Sequence, residues 1–444
     1  MDVVKTTKSK ILLGDEDMKN TIEVFRTALT HMITVVFNNW GTVAKGSTSQ
    51  LKQQIVERLL IPTKTRIVLP ENDLSAKFHK LPSYFRRALI TEAIGTVSSH
   101  MSRMDNWREA KSEIEAKGKK FYSKPPTLQY EPKSYPTFYF KNMFLGEPEN
   151  FVGKKELSLK IKVYRNNDWV WKNISVDAKS LQKRGLSVYE PMAPTVIKSH
   201  GGYFLHIPWQ RKINLPDIKT SVDGLLVCSV DSNLGNDAVA AIIDSNGTVL
   251  ARKFISFPRE KDLMIQAIDR ISKANRLSGI GSKPNLWRRV NNLKTEIVNR
   301  TVKTVVDFAL EFGCHLIVTE NLKSLKPNGS RREKIHHWRI MEIHRRLEVA
   351  AHHNGMRYSK VNPCNTSKLA FDGTGVAARP GKGKLLTFTT GKVYSADLNA
   401  AYNIGARWFV REMYNRLPKK HQAELRAKAP ALYPGSGTTL DTLK

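Results

Sequence analysis

Three acidic residues stand at the ends of apolar elements. Asp231 closes the run Leu225-Leu226-Val227-Cys228-Ser229-Val230. Glu320 closes His315-Leu316-Ile317-Val318-Thr319, and Asp397 opens the helical pattern Leu398-Asn399-Ala400-Ala401-Tyr402-Asn403-Ile404. A carboxylate at the tip of a buried strand is costly unless a cation or a strong donor meets it. Three that converge can hold a pair of divalent metals and hydrolyse a phosphodiester. Singly, each has a plainer reading. Asp231 caps a turn with Ser232 and Asn233, Glu320 follows a strand at the surface, and Asp397 complements a helix dipole. Their order and their flanking residues favour shared chemistry.

The surroundings suit a nucleic-acid substrate. The chain has 444 residues with 72 Lys+Arg against 40 Asp+Glu, a formal charge of +32. Such a charge repels itself without an anionic partner, so nucleic acid is expected, bound less tightly as salt rises. The length exceeds one ordinary core, and 41% hydrophobic residues suffice for two or three folded domains. Cys228, Cys314 and Cys364 lie far apart, which fits a reducing compartment and excludes a disulfide frame. No CxxC pair offers a cysteine zinc site, no apolar stretch approaches a membrane span, and residues 1–10 hold no signal-peptide core.

The elements that must carry the acids are legible from periodicity. Residues 1–13 read as a strand. Ile22, Phe25, Leu29, Ile33 and Val36 set a helix over 18–40, and a helical block fills 50–118. Along that block Arg86, Arg87, Arg103 and Arg108 interleave with Tyr84, Phe85 and Trp107. They could contact phosphates and stack on bases, or the aromatics could form a core beneath a solvated basic face. From 124 to about 215 short alternating strands predict a small barrel or sandwich, with the helical block inserted after its first strand. Strands at 225–231, 238–244 and 249–254 follow, with a hairpin at Ser245-Asn246-Gly247 and turn residues at Asp237 and Asp244. Helices over 260–312, a strand at 315–320, a helix over 336–354, a strand at 356–362 and a helix over 396–413 complete an α/β unit. The stretch 363–394 reads as a loop or insertion, and the tail after Pro418 as basic and frayed.

Three strands, then helix, strand, helix, strand, helix, is the element order of an RNase H-like fold, with acids at the places of Asp231, Glu320 and Asp397. The sequence around them resembles the split RuvC domain of TnpB proteins and miniature type V CRISPR effectors. The segments are Ser229-Val230-Asp231-Ser232-Asn233-Leu234-Gly235, Val318-Thr319-Glu320-Asn321-Leu322 and 395–404, the last close to the family's AD-x-NAA-x-NI. Asn362-Pro363 with Thr366-Ser367-Lys368 is similar to its P-x-x-TSQ. One feature departs. The cysteine places of the family's zinc knuckle fall on Ala370, Gly373, Thr387 and Thr390, so no zinc is expected and the ribbon must hold by other contacts.

The resemblance implies a multidomain α+β chain. Residues 1–15 and 124–220 would form a wedge-like β-barrel and 16–123 an inserted helical recognition domain. Residues 221–362 and 395–415 would form the RNase H-like (RuvC) nuclease domain, 363–394 a degenerate zinc-ribbon-like insertion, and 416–444 a basic tail. It implies an RNA-guided DNA endonuclease, cytoplasmic, prokaryotic and nucleoid-associated. Its cofactors would be Mg²⁺ or Mn²⁺ on Asp231, Glu320 and Asp397, and a guide RNA. Its partners would be double-stranded and single-stranded DNA, with no membrane and a homodimer left open. Arg379 falls near a basic residue of the knuckle that assists the scissile phosphate. Nucleic-acid contacts are expected at Arg86, Arg87, Arg103, Arg331, Arg332 and Arg339, the last three in a basic segment whose loop would act as a lid. Competing readings are a guide-directed DNA-binding repressor that does not cut, a DNA transposase and a junction nuclease.

Overall fold

The computed structural model describes the chain except residues 13, 15, 132, 140, 147–154, 183–184, 219, 233–235, 280–283, 323–330, 382 and 429–444; at 180, 182, 278, 331–338 and 424–428 it describes the backbone alone. It divides into two compact units, residues 2–211 and residues 212–444 with Met1.

In the first unit, strand β1 (Asp2–Lys10) precedes helices α1 (Glu16–Asn38), α2 (Trp40–Val43), α3 (Ser49–Leu60), α4 (Leu74–Lys77) and α5 (Ser83–Ala116). Strands β2 (Phe144–Leu145), β3 (Glu156–Arg165), β4 (Asp168–Asp177), β5 (Glu190–Pro191), β6 (Thr195–Ser199) and β7 (Gly202–Lys212) follow. The five apolar residues at helical spacing in α1 are all buried. Phe25 of α1 meets Phe85 of α5 edge-on at 5.7 Å, and Phe85 meets Phe138 at 5.4 Å and Trp169 at 5.1 Å. Phe85 is therefore a core residue, and the base-stacking reading fails for it. The strands form two small antiparallel sheets, β2-β3-β4 and β1-β7-β5 with β6 on β7. Among the described residues a single bridge, Ile11 to Val176, joins the sheets.

In the second unit, β8 (Val227–Asp231), β9 (Ala238–Ile243) and β10 (Val249–Ile255) precede α6 (Pro258–Ser278) and α7 (Pro284–Glu311). Then come β11 (Leu316–Glu320), α8 (Arg331–His353) and β12 (Arg357–Val361). A hairpin of β13 (Leu385–Thr387) and β14 (Val393–Ser395) leads into α9 (Ala396–Arg416) and α10 (Lys419–Lys428). α10 stands where a frayed tail was expected, and the Tyr414 hydroxyl donates to the Gln422 carbonyl at 3.2 Å. The sheet order is β10-β9-β8-β11-β12, with β11 parallel to β8 and β12, and β9 antiparallel to β8 and β10.

Alternation along the strands divides the core. Cys228, Val230, Ala240 and Ile317 pack with Val298 and Val305 of α7 and with Ile343 and Leu347 of α8. Val227, Val239, Leu316 and Val318 face the other way and pack with Ala401, Ile404 and Trp408 of α9. Gly405 of α9 packs tightly on the sheet, where an added Cβ would come within 2.6 Å of Ile243 Cδ1 and 3.2 Å of Ser229 Cβ.

Candidate active site

Strand parity brings the first two acids together. Asp231 shares its face with Val227, and Glu320 shares its face with Leu316 and Val318, so both acids point to the α9 side. Thr319 pairs with Val230 across the parallel ladder, which sets Glu320 beside Asp231 at the carboxyl ends of adjacent strands. Asp231 is 8% exposed. Burial pushes the Glu320 carboxyl above the ordinary carboxylate range, against the Thr366 hydroxyl and the Arg407 charge, which pull it down.

The third acid comes from the helix that covers that face. Asp397 lies in the first turn of α9, where the Ser395 side chain caps the helix by accepting from Leu398 N. Asn236, just ahead of β9, donates from Nδ2 to Asp397 Oδ2 at 2.9 Å. Glu320 in turn accepts from the Thr366 hydroxyl.

The motif asparagines now have a physical role. Asn399 and Asn403 are fully buried on α9, one turn apart. Asn399 Nδ2 donates to the Leu369 carbonyl at 2.8 Å, and its Oδ1 accepts from Phe371 N at 2.9 Å. Asn403 Nδ2 reaches the Thr366 and Leu369 carbonyls at 2.8 and 2.7 Å. A turn further on, Arg407 donates to the Asn362 carbonyl at 2.9 Å and also to that of Cys364. This ladder fixes the loop that carries Thr366, and hence the group bonded to Glu320.

The insertion is built on apolar contacts. Ala370, Ala377, Leu386, Phe388 and Ala396 are buried together, with Phe371 and Tyr394 against them. Phe371 stands 4.9 Å from Tyr402 and 5.6 Å from Phe388, each edge-on. Ala370, at one of the family's cysteine places, is 1% exposed within that core. Arg379 is exposed, and its Nε donates to the Gly383 carbonyl at 2.7 Å within its own loop.

Of the expected nucleic-acid contacts, Arg87 and Arg103 are exposed on α5, and Arg86 is half-buried 3.9 Å from Glu57. Arg339 is a correction. It is buried, 3.2 Å from Asp237 Oδ1, so it neutralises an internal carboxylate and has no free face for a phosphate. Asp237, expected as a turn residue, is fully buried. Its Oδ2 accepts from Phe257 N at 2.9 Å and faces Lys261 at 3.2 Å. A charged residue on a polar helix reads as solvated, so neither partner was identifiable before the fold. The side chains of Arg331 and Arg332 and the loop expected as a lid, 323–330, lie outside the described residues.

Among the described residues, no group of three or more His, Cys, Asp or Glu side chains is gathered closely enough to hold a metal ion as the side chains stand. The chemistry of the donors nonetheless fits one. Asp231, Glu320 and Asp397 offer carboxylate oxygens alone, the set suited to Mg²⁺ or Mn²⁺. A buried carboxyl held above its usual range is also a group that a bound cation would stabilise.

Comparison with known proteins agrees with this architecture. Residues 5–165 match the Aq_aa04 family. The TnpB-like protein aq_aa05 of Aquifex aeolicus (strain VF5) is 28% identical over 239 residues, 48% of this chain and 77% of its own. The solved mini-RNA-guided endonuclease CRISPR-Cas_phi3 aligns with a TM-score of 0.51 at 12% identity, over 91% of this chain and 92% of its own. CasPhi-2 (Cas12j) bound to crRNA aligns with a TM-score of 0.51 at 11% identity, over 90% and 97%. The fold is thus the mixed α/β multidomain architecture of these effectors. In sequence the chain is similar to a TnpB-like protein, and in fold to miniature RNA-guided effectors.

Proposed function

We propose that the protein is an RNA-guided DNA endonuclease that cuts next to a short DNA motif and leaves a 5′-phosphate. One observation carries the proposal: Asp231 and Glu320 lie side by side on one sheet face, beneath the helix whose first turn holds Asp397. A rigid sheet and a buried helix are the supports that such a constellation needs. Asp231, Glu320 and Asp397 are the residues that would hold the divalent cations. When bound, the ions supply a water that is deprotonated near neutral pH and a counter-charge for the leaving 3′ oxygen.

The chain's own groups do the positioning. Thr366 and Asn236 fix the Glu320 and Asp397 carboxylates, and the Asn399–Asn403–Arg407 ladder holds the Thr366 loop to α9. The charge of +32 supplies the long-range attraction for guide and target. The first unit, with exposed Arg87 and Arg103, would grip guide RNA and the guide–target duplex by phosphate and shape. A guide-directed binder that does not cut is the second reading, favoured because Thr366 and Asn236 already occupy two of the acids.

The test is to express the protein with its flanking locus, sequence the RNA that copurifies, and then change the guide portion. Cleavage should move to the plasmid that matches the new guide. Binding that moves without cleavage supports the second reading. Cleavage indifferent to the guide contradicts RNA guidance.

A further inference from the structure

The row of residues across the sheet at the level of the acids extends beyond them. Asp231 pairs with Val239, and Val239 pairs with Phe254 of β10. All three belong to the α9 side of the sheet, so Glu320, Asp231, Val239 and Phe254 form one transverse line. Val239 is buried, but Phe254 is 51% exposed on the edge strand. Two strand spacings put it about 10 Å from Asp231, roughly the reach of one nucleotide.

Arg252 lies two residues back on the same face, opposite Ala241, with an exposed guanidinium. Its Nη1 donates to the Tyr394 hydroxyl at 3.4 Å, and that hydroxyl lies 3.2 Å from the hydroxyl of Tyr402. The tyrosines hold the cation beside the ring. A half-exposed aromatic locked in a ladder, in line with carboxylates and next to a fixed cation, matches the groups that bind single-stranded nucleic acid. The ring offers a stacking face and the cation meets the phosphate.

We propose that Phe254 and Arg252 form a shelf on which a base of the single DNA strand stacks, next to the phosphate held at the acids. This rests on the nuclease reading, and it makes Phe254 a positioning residue.

The test uses the RNA-loaded full chain and guide-matched DNA, intact or abasic at single positions flanking the cleavage site. Phe254→Ala should cut about tenfold more slowly with target binding unchanged, and Phe254→Trp should restore most of the rate. One abasic position should slow the wild type similarly but leave Phe254→Ala nearly unaffected. An independent arm titrates the Asp231→Ala protein with single strands containing 2-aminopurine. The fluorescence should be quenched with Phe254 present and not in the Phe254→Ala background. A wild type that never cuts refutes the nuclease reading alone, and the fluorescence arm then decides the shelf. Equal rates for Phe254→Ala and wild type, equal abasic penalties, or equal quenching would overturn it. So would concentration-dependent dimers that Phe254→Ala dissolves while cleavage is unchanged, because the ring would then serve a second copy of the chain.

Discussion

Arg339 and Asp237 meet inside the second unit at 3.2 Å, their side chains 1% and 0% exposed. The pair ties α8 to the start of β9, one residue from Asn236, which bonds Asp397. Removing Asp237 leaves Arg339 buried without its counter-charge, an effect of about 3–5 kcal/mol, whereas removing Arg339 leaves Asp237 still facing Lys261 at 3.2 Å. Asp237→Ala should lower stability in urea by that order and Arg339→Ala by less, and the double variant should lose clearly less than the sum. Additive losses would contradict a direct pairing.

Gly405→Ala tests the contact of α9 with the sheet. The new methyl would meet Ile243 Cδ1 at 2.6 Å, and relieving that overlap should cost about 1–3 kcal/mol. Because the displaced helix also carries Asp397, cleavage should fall further than the melting temperature suggests. Ile243→Val added to Gly405→Ala should recover part of both. Recovery of neither would place the damage elsewhere.

His344 makes stability depend on pH. Burial, with a smaller contribution from Lys360, pushes its pKa from 6.5 down to about 4. Nε2 is buried without a hydrogen-bond partner among the described residues. Above pH 6.5 the ring is neutral folded and unfolded. As pH falls from 6.5 towards 4 the unfolded chain takes the proton first, so stability is lost across that window, about 3 kcal/mol in all. His344→Phe should flatten the profile between pH 6.5 and 4. An unchanged slope in chemical denaturation would show that His344 is not its source.

The insertion should stand without metal. EDTA should leave its contribution to the melting transition unchanged, whereas Phe371→Ala, which removes the ring between Phe388 and Tyr402, should cost about 2 kcal/mol. Unfolding of the insertion by chelator would contradict the apolar-core account.

The strands that end in Asp231 and Glu320 were legible because apolar runs of five or six residues bounded by acids have few other readings. The helix behind Asp397 was legible from its motif. Sequence could not show that Asn399, Asn403 and Arg407 hold one loop, because polar residues at helical spacing look like a solvated face. The same ambiguity hid the burial of Arg339 and Asp237. Phe254 read as the apolar end of a strand, and only the sheet order makes it an exposed edge residue in line with the acids. Phe85 failed in the opposite sense: its basic neighbours suggested stacking on bases, and its aromatic neighbours bury it.

The proposed nuclease activity requires Asp231, Glu320 and Asp397 to act as one metal-holding set. The most direct measurement compares guide-matched plasmid cleavage in Mg²⁺ by the wild type and by Asp231→Ala, Glu320→Ala and Asp397→Ala, with RNA and target binding measured on the same preparations. Each variant should cut only at background while binding RNA and target as the wild type does. A variant that still cuts at the wild-type rate would contradict the claim.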